Sequence, residues 1–180
     1  SPVAGIAKDE IIDATPAIRE IQQIVTDDEF QNLPRKFKSA ISGNARQDVV
    51  HEINDLAFIG VEHPELGPGF ECYVGGGLST NPMLAQSLGA FVTLEQVPDV
   101  WAGVVRIFRD YGYRRLRNRA RLKFLVAEWG IEKFRRVLEE EYLGYSLPDG
   151  PKAPDNLVDR DHIGVHEQKD GNVYIGVKPT

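Results

Sequence analysis

The stretch LAFIGVEHPELGPGFECYVGG, residues 56 to 76, sets two runs rich in Phe, Ile, Val and Tyr on either side of a turn-forming heptapeptide. Apolar runs of this length bounded by Gly and Pro predict strands, LAFIGVE over 56–62 and FECYVGG over 70–76, lying as neighbours in a core sheet and joined through HPELGPG. Three consecutive glycines, Gly75, Gly76 and Gly77, open VGGGLSTNP as the second strand ends. They free the backbone for positive φ or for close approach to another group. With no Walker lysine and no GxGxxG spacing, the loop matches neither familiar kind of phosphate loop.

Outward from this pair, residues 13–30 predict a helix with Thr15 as N-cap, Pro16 at the first helical position, and Ile18, Ile21 and Val25 at helical spacing. A strand follows from Arg35 to Ile41 and stops at Gly43. The polar segment NARQDVVHEIND carries no clear period. Downstream, a helix from Pro98 to Tyr111 turns Trp101, Val104, Val105 and Phe108 inward and ends at Gly112. A basic amphipathic helix over Arg117–Trp129 stops at Gly130, and another over Glu132–Tyr142 aligns Phe134, Leu138 and Tyr142. From Leu147 to Arg160 the proline and glycine content is that of a linker. Beyond it HIGVHEQKDGNVYIGV alternates around Asp170-Gly171, a two-residue hairpin turn. Two strands alone cannot bury a core, so the expected organisation is a domain over 1–150, then a linker and the start of the next domain over 151–180.

At 180 residues, 42% apolar and 27% charged, the chain has the composition of a soluble globular protein with room for one α/β domain and an appendage. A net charge of −6 argues against a general nucleic-acid binder, so any basic site must be local. No run approaches the roughly 18 apolar residues of a membrane span, and no signal pattern opens the chain; a cytosolic protein without a membrane partner is expected. The single cysteine, Cys72, permits no internal disulfide and no cluster of thiolates, and reads as a small buried hydrophobe. Ser1 opens the chain and the only methionine is the internal Met83, as expected of an excised piece or of a chain that has lost its initiator.

LPRKFK, residues 33–38, crowds three cations around Phe37. Extended backbone beyond Pro34 puts Lys36 and Lys38 on one face and Phe37, Ser39 and Ile41 on the other. Like charges about 7 Å apart on a strand are tolerated when water screens them or when an anion belongs between them. YRRLRNRARLK, residues 113–123, adds Arg114, Arg115, Arg117, Arg119, Arg121 and Lys123, with no acidic residue between Asp110 and Glu128. A solvated helix would interleave acidic partners, so the pattern favours a bound polyanion, either nucleic acid or a small cofactor with several carboxylates or phosphates. Overall acidity favours the cofactor. Asp48, His51, Asn54 and Asp55 could form an acid–base or ligand set or, equally, a polar network under a turn; no second histidine stands at zinc spacing. His63, His162 and His166 read as structural or exposed.

LPRKFKSAISG, DVVHEINDLAFIGV, GGGLSTNPMLAQSLGAFV and RDYGYRRLRNRARLKFLVAEWGIEKFR, in this order from about Ala14 to Gly176, resemble the sirohaem-containing nitrite and sulfite reductases, most of all the actinobacterial ferredoxin-dependent sulfite reductases. The resemblance implies an α+β fold, a mixed α/β sheet flanked by helices, followed by the first hairpin of a ferredoxin-like domain. It implies reduction of sulfite to sulfide, or of nitrite to ammonia, by six electrons at sirohaem coupled to a 4Fe–4S cluster, with ferredoxin as donor. It assigns Lys36 and Lys38 to the substrate anion, and Arg117, Asn118, Arg119, Arg121 and Lys123 with Gly75, Gly76 and Gly77 to the cofactor carboxylates. The four cluster cysteines of the family have no counterpart here, and two of its active-site arginines would lie upstream of Ser1. The chain is therefore expected to correspond to the middle of such a reductase and to lack turnover alone. A non-catalytic anion-binding scaffold and nucleic-acid binding through residues 114–123 are the competing expectations.

Overall fold

The computed structural model describes every residue except 45, 80, 156–161 and 180. Its helices are α1 (Thr15–Ile24), α2 (Val97–Tyr111), α3 (Leu122–Trp129) and α4 (Ile131–Val137), the last continuing as a π-helical turn over Leu138–Leu143. The strands are β1 (Ser39–Ser42), β2 (Leu56–His63), β3 (Gly67–Val74), β4 (Gln86–Val92), β5 (Gly164–Glu167) and β6 (Val173–Gly176). The first four form a mixed sheet in the order β1-β2-β3-β4. β1 runs parallel to β2 with Ser39 opposite Leu56, β2 pairs antiparallel with β3 from Leu56↔Val74 to His63↔Gly67, and β4 is antiparallel to β3 with a bulge between Glu71 and Tyr73.

The two strands of the 56–76 stretch are central and buried on both faces, which is why they read as near-continuous apolar runs. On one face Phe58, Phe70, Cys72 and Val74 meet Val100, Val104, Ile107 and Phe108 of α2, with Phe134 and Leu138 behind. On the other, Ile59, Val61 and Phe91 are covered by Ala153 and Val49. The mixed sheet flanked by helices is the architecture expected from the resemblance.

Several elements differ from the sequence expectation. α1 ends at Ile24, and its N-cap is Ala14 with no side-chain cap; Thr15 is already helical and donates its N–H to the Asp13 carboxylate at 2.9 Å. The strand expected from Arg35 begins at Ser39, because the chain bends at Pro34 and Arg35 and residues 36–38 make no strand pairing. Arg117–Arg119 form a single 3₁₀ turn and the helix starts only at Leu122, so the arginines do not share a helical face. β4, QSLGAFV, carries no strand expectation from its sequence. The hairpin loop holds three residues, 169–171, closed by the Gln168 N–H donating to the Asn172 carbonyl at 2.8 Å with Gly171 at φ +82°. The linker expected over 147–160 lies partly outside the described residues. The β5–β6 hairpin meets the N-terminal segment at its turn, through the Ala7–Gln168 bridge and the Lys169 N–H donated to the Ile6 carbonyl at 3.0 Å, and exposes Val165, Val173 and Ile175 on one face. No helix among the described residues is long and apolar enough to cross a membrane.

Candidate functional site

The loop ahead of β1 and the loop ahead of α3 are held side by side by their own cations. Arg114 donates to the Asn32 side chain at 3.0 Å and to its carbonyl at 2.7 Å, and Arg35 donates to the Arg117 carbonyl at 3.2 Å. Phe37 turns inward onto Phe108, ring centroids 5.8 Å apart, which pins the loop between Lys36 and Lys38. The result is a cavity of about 290 Å³ lined by Arg35, Lys36, Leu78, Ser79, Asn118, Arg121, Lys123 and Phe124. Ser79 holds φ +83°, a left-handed conformation unusual for a side-chain-bearing residue outside Asn and Asp.

Beneath the cavity, Asp55 is fully buried and ion-paired with Arg121, whose Nη2 donates to Oδ2 at 2.8 Å and to Oδ1 at 3.0 Å, and whose Nε donates to Oδ1 at 3.2 Å. Burial pushes the Asp55 carboxyl up, and the Arg121 charge and the Lys38 amide pull it back. Lys38 donates its amide to Asp55 at 2.9 Å and one ammonium hydrogen to the Ile53 carbonyl at 2.8 Å, which keeps two hydrogens for another acceptor. Lys123 is different. Its buried ammonium donates to the carbonyls of Gly77 at 3.2 Å, Leu78 at 2.9 Å and Asn81, so all three hydrogens hold the glycine-rich loop. Burial and the nearby Arg121 charge draw its pKa below the ordinary lysine value.

The predicted residues thus fall into three groups. Lys36, Asn118, Arg121 and Lys123 line one cavity, with Gly77 against it: a Cβ there would stand 3.4 Å from Arg121 Nη2 and 3.5 Å from Lys123 Cδ. Lys38 sits behind, tied to the same Asp55. Arg117 and Arg119 flank Asn118 in the 3₁₀ turn without lining the cavity, and their side chains, like those of Lys36 and Arg115, make no hydrogen bond or ion pair with any described residue. Gly75 and Gly76 serve packing. A Cβ at Gly75, where φ is +84°, would stand 2.9 Å from that of Val126, and at Gly76 one would stand 2.3 Å from the Glu52 carbonyl.

The Asp48, His51, Asn54 and Asp55 set does not converge. Asp48 accepts from Ser42 at 2.8 Å and meets His162 at 3.0 Å, the His51 ring lies edge-on to Tyr73, Asn54 donates to the Val50 carbonyl at 2.7 Å, and only Asp55 reaches the cavity wall. His63 accepts the Glu65 and Leu66 amides in its turn at 3.1 Å. Sequence reasoning missed Leu78, Ser79 and Phe124, and it missed that Asp55 belongs with Arg121. Their separation of 66 residues leaves no local signal for that pair.

A family model described as the nitrite and sulphite reductase 4Fe-4S domain matches residues 1–147. The chain belongs to this family. Among its relatives, a ferredoxin sulfite reductase of Mycolicibacterium paratuberculosis is 57% identical over 99% of the chain, and one of Mycobacterium tuberculosis is 58% identical over the same share. An assimilatory ferredoxin-dependent nitrite reductase of Haloferax mediterranei is 37% identical over 98% of the chain. The solved structure of the Mycobacterium tuberculosis NirA protein superposes with a TM-score of 0.96 at 58% identity, covering 99% of this chain and 33% of that one. The chain spans about a third of the length of the curated relatives it matches.

Among the described residues of this member of the nitrite and sulphite reductase 4Fe-4S domain family, the donors do not assemble a 4Fe–4S site. Cys72 faces the core of β3 with no exposure, burial pushes its thiol up, and no group of three or more His, Cys, Asp or Glu side chains among the described residues could hold a metal. A polycarboxylate macrocycle such as sirohaem is a different case. The cations Arg35, Lys36, Arg121 and Lys123, with Asn118, line one cavity in an acidic chain, a lining that fits a ligand with several carboxylates.

Proposed function

We propose that, within a longer polypeptide, this chain supplies the anion-binding wall of a cytoplasmic, ferredoxin-dependent sulfite reductase that converts sulfite to sulfide at sirohaem coupled to a 4Fe–4S cluster held by residues outside this chain. The single observation that carries the proposal is the one cavity lined by Arg35, Lys36, Asn118, Arg121 and Lys123. Sulfite is favoured over nitrite because relatives at 57–59% identity bear sulfite reductase names, whereas those named nitrite reductase stand at 37–38%. Nitrite is the second substrate for the same reason. Residues 151–180 would open the following ferredoxin-like domain, a role supported by the uncovered apolar face of Val165, Val173 and Ile175.

Reduction of sulfite takes up six electrons and six protons and releases three oxygens as water. Sirohaem, when bound, supplies an iron through which electrons reach the substrate. Arg117, Asn118, Arg119 and Arg121 would hold its carboxylates. Lys36 and Lys38 would concentrate the oxyanion by charge, orient it through charge-assisted hydrogen bonds, and donate protons to each departing oxygen, recovering them from solvent. Lys38 suits this task because two of its ammonium hydrogens have no described acceptor. Lys123 would act through the loop it braces.

Steady-state kinetics of Lys36→Ala and Lys38→Ala in the intact reductase test the assignment. Each loss of a charge-assisted contact should cost about 1.5–3 kcal/mol of sulfite binding, roughly a 10- to 100-fold rise in KM. Unchanged KM and kcat for both sulfite and nitrite would refute it.

A further inference from the structure

A carboxylate with no exposed surface stands behind Arg121, which lines the cavity of about 290 Å³. Asp55 Oδ1 accepts from Nε at 3.2 Å and from Nη2 at 3.0 Å, and Oδ2 accepts from Nη2 at 2.8 Å. Asp55 is itself fixed by backbone. Its Oδ2 accepts the Lys38 N–H at 2.9 Å, its N–H donates to the Lys38 carbonyl at 3.0 Å, and its carbonyl accepts the Gly75 N–H at 2.9 Å. The carboxylate is therefore set by the end of the sheet, and the guanidinium takes its plane from the carboxylate. Of the arginine's N–H groups, those on Nη1 have no acceptor among the described residues.

The wall around this free end holds two cations. A Cβ at Gly77 would stand 3.4 Å from Arg121 Nη2 and 3.5 Å from Lys123 Cδ, so both side chains lie close over one glycine. Like charges so placed repel: burial and then the Arg121 charge lower the Lys123 pKa, and the Asp55 charge opposes them. Arg121 and Asp55 together carry no net charge, so Arg121 offers a ligand directed N–H groups more than a free positive field. A planar carboxylate matches a planar guanidinium already held in place. An arginine free to rotate would spend binding energy on being immobilised.

We propose that Asp55 is a positioning residue for the polycarboxylate cofactor: it holds the Arg121 guanidinium so that Nη1 meets one cofactor carboxylate. Asp55 acts here through Arg121 alone, and the substrate anion has no part in it. This role rests on the sirohaem reading given above, and the experiment keeps the two apart. Apoprotein of the intact reductase is titrated with sirohaem, followed by visible absorption, for the wild type, Asp55→Asn, Arg121→Gln and the double variant, while thermal melts of each apoprotein report the fold. Failure of the wild type to bind sirohaem would overturn the functional reading and this role with it. Wild-type binding that Asp55→Asn leaves within about twofold would overturn the role of Asp55 alone.

Asp55→Asn turns one acceptor oxygen into an NH₂ donor and releases the fork, so Kd for sirohaem should rise about tenfold. Arg121→Gln should weaken binding to a similar extent, and the double variant should lie within about twofold of Arg121→Gln, because a residue that acts through another adds nothing once that other is gone. If Asp55→Asn does not fold, Asp55→Glu, which keeps the charge but displaces the fork by a methylene, takes its place with the same expected rise. Additive losses in the double variant would overturn the proposal, since Asp55 would then act without Arg121. So would tighter binding in Asp55→Asn, which would make net charge the controlling factor, and so would loss of the fold in both Asp55 variants, which would make Asp55 purely structural.

Discussion

Lys38 and Lys123 carry the same ammonium group at different tasks. Lys38 gives one hydrogen to Ile53 and keeps two, whereas Lys123 spends all three on the carbonyls of Gly77, Leu78 and Asn81. Replacing Lys123 with Met keeps the length of the stem and strands carbonyls that water only partly reaches. We expect a loss of about 2 kcal/mol, or a melting temperature lower by about 4–8 °C, in thermal unfolding. Lys36→Ala, at an exposed position with no partner, should change stability by less than about 0.5 kcal/mol. The cations themselves were legible in the sequence as a run without acidic neighbours. Which of them are spent internally was not, because the acceptors of Lys123 lie more than 40 residues away and burial is a property of the fold.

Secondary structure was legible where one element carried its own pattern. α2 has an apolar stripe and a glycine stop, and β2 and β3 are buried on both faces, so local sequence sufficed. β4, QSLGAFV, has a polar start and a central glycine; its strand state comes from pairing with β3. α1 falls short of residue 30 because the chain turns at Thr26 and Asp27 into a 3₁₀ turn over Asp28–Phe30. That turn is tied to α2 by Glu29, which accepts from Arg106 at 2.7 and 2.9 Å and from Arg109 at 3.0 Å. The Arg106 guanidinium, more than the burial that opposes it, holds the Glu29 carboxyl below the usual range. A lowered carboxyl contributes stability in full above the unfolded value of about 4.3, and the contribution fades as pH falls through the folded value. Glu29→Gln should therefore destabilise by at most about 1 kcal/mol at pH 7, since the pair is part-exposed, and the difference from wild type should vanish in acid-range melts. Gly75→Ala, which forces a Cβ into Val126 at φ +84°, should cost about 1–3 kcal/mol in a urea titration.

The chain as a unit is a helix-flanked mixed sheet with a hairpin laid against its N-terminal segment. The hairpin reaches back to the body through His162, 3.0 Å from the buried Asp48 carboxylate, and through Tyr174 against the same histidine at 3.3 Å. Removing this tie by His162→Ala should speed hydrogen exchange at the β5 and β6 amides while leaving β2 and β3 protected, since local opening costs less than global unfolding. The order of elements and the family were legible from several motifs in register. The meeting of LPRKFK with the arginine-rich loop was only implied by excess charge, because it depends on how Phe37, Asn32 and Arg114 close the two loops together. Crystals of the intact reductase grown with sulfite test this meeting most directly. An anion within hydrogen-bond distance of Lys36 and Lys38, with Arg121 still forked on Asp55 at 2.8–3.2 Å, is the predicted result; an anion bound elsewhere, with Lys36 and Lys38 in bulk solvent, would contradict it.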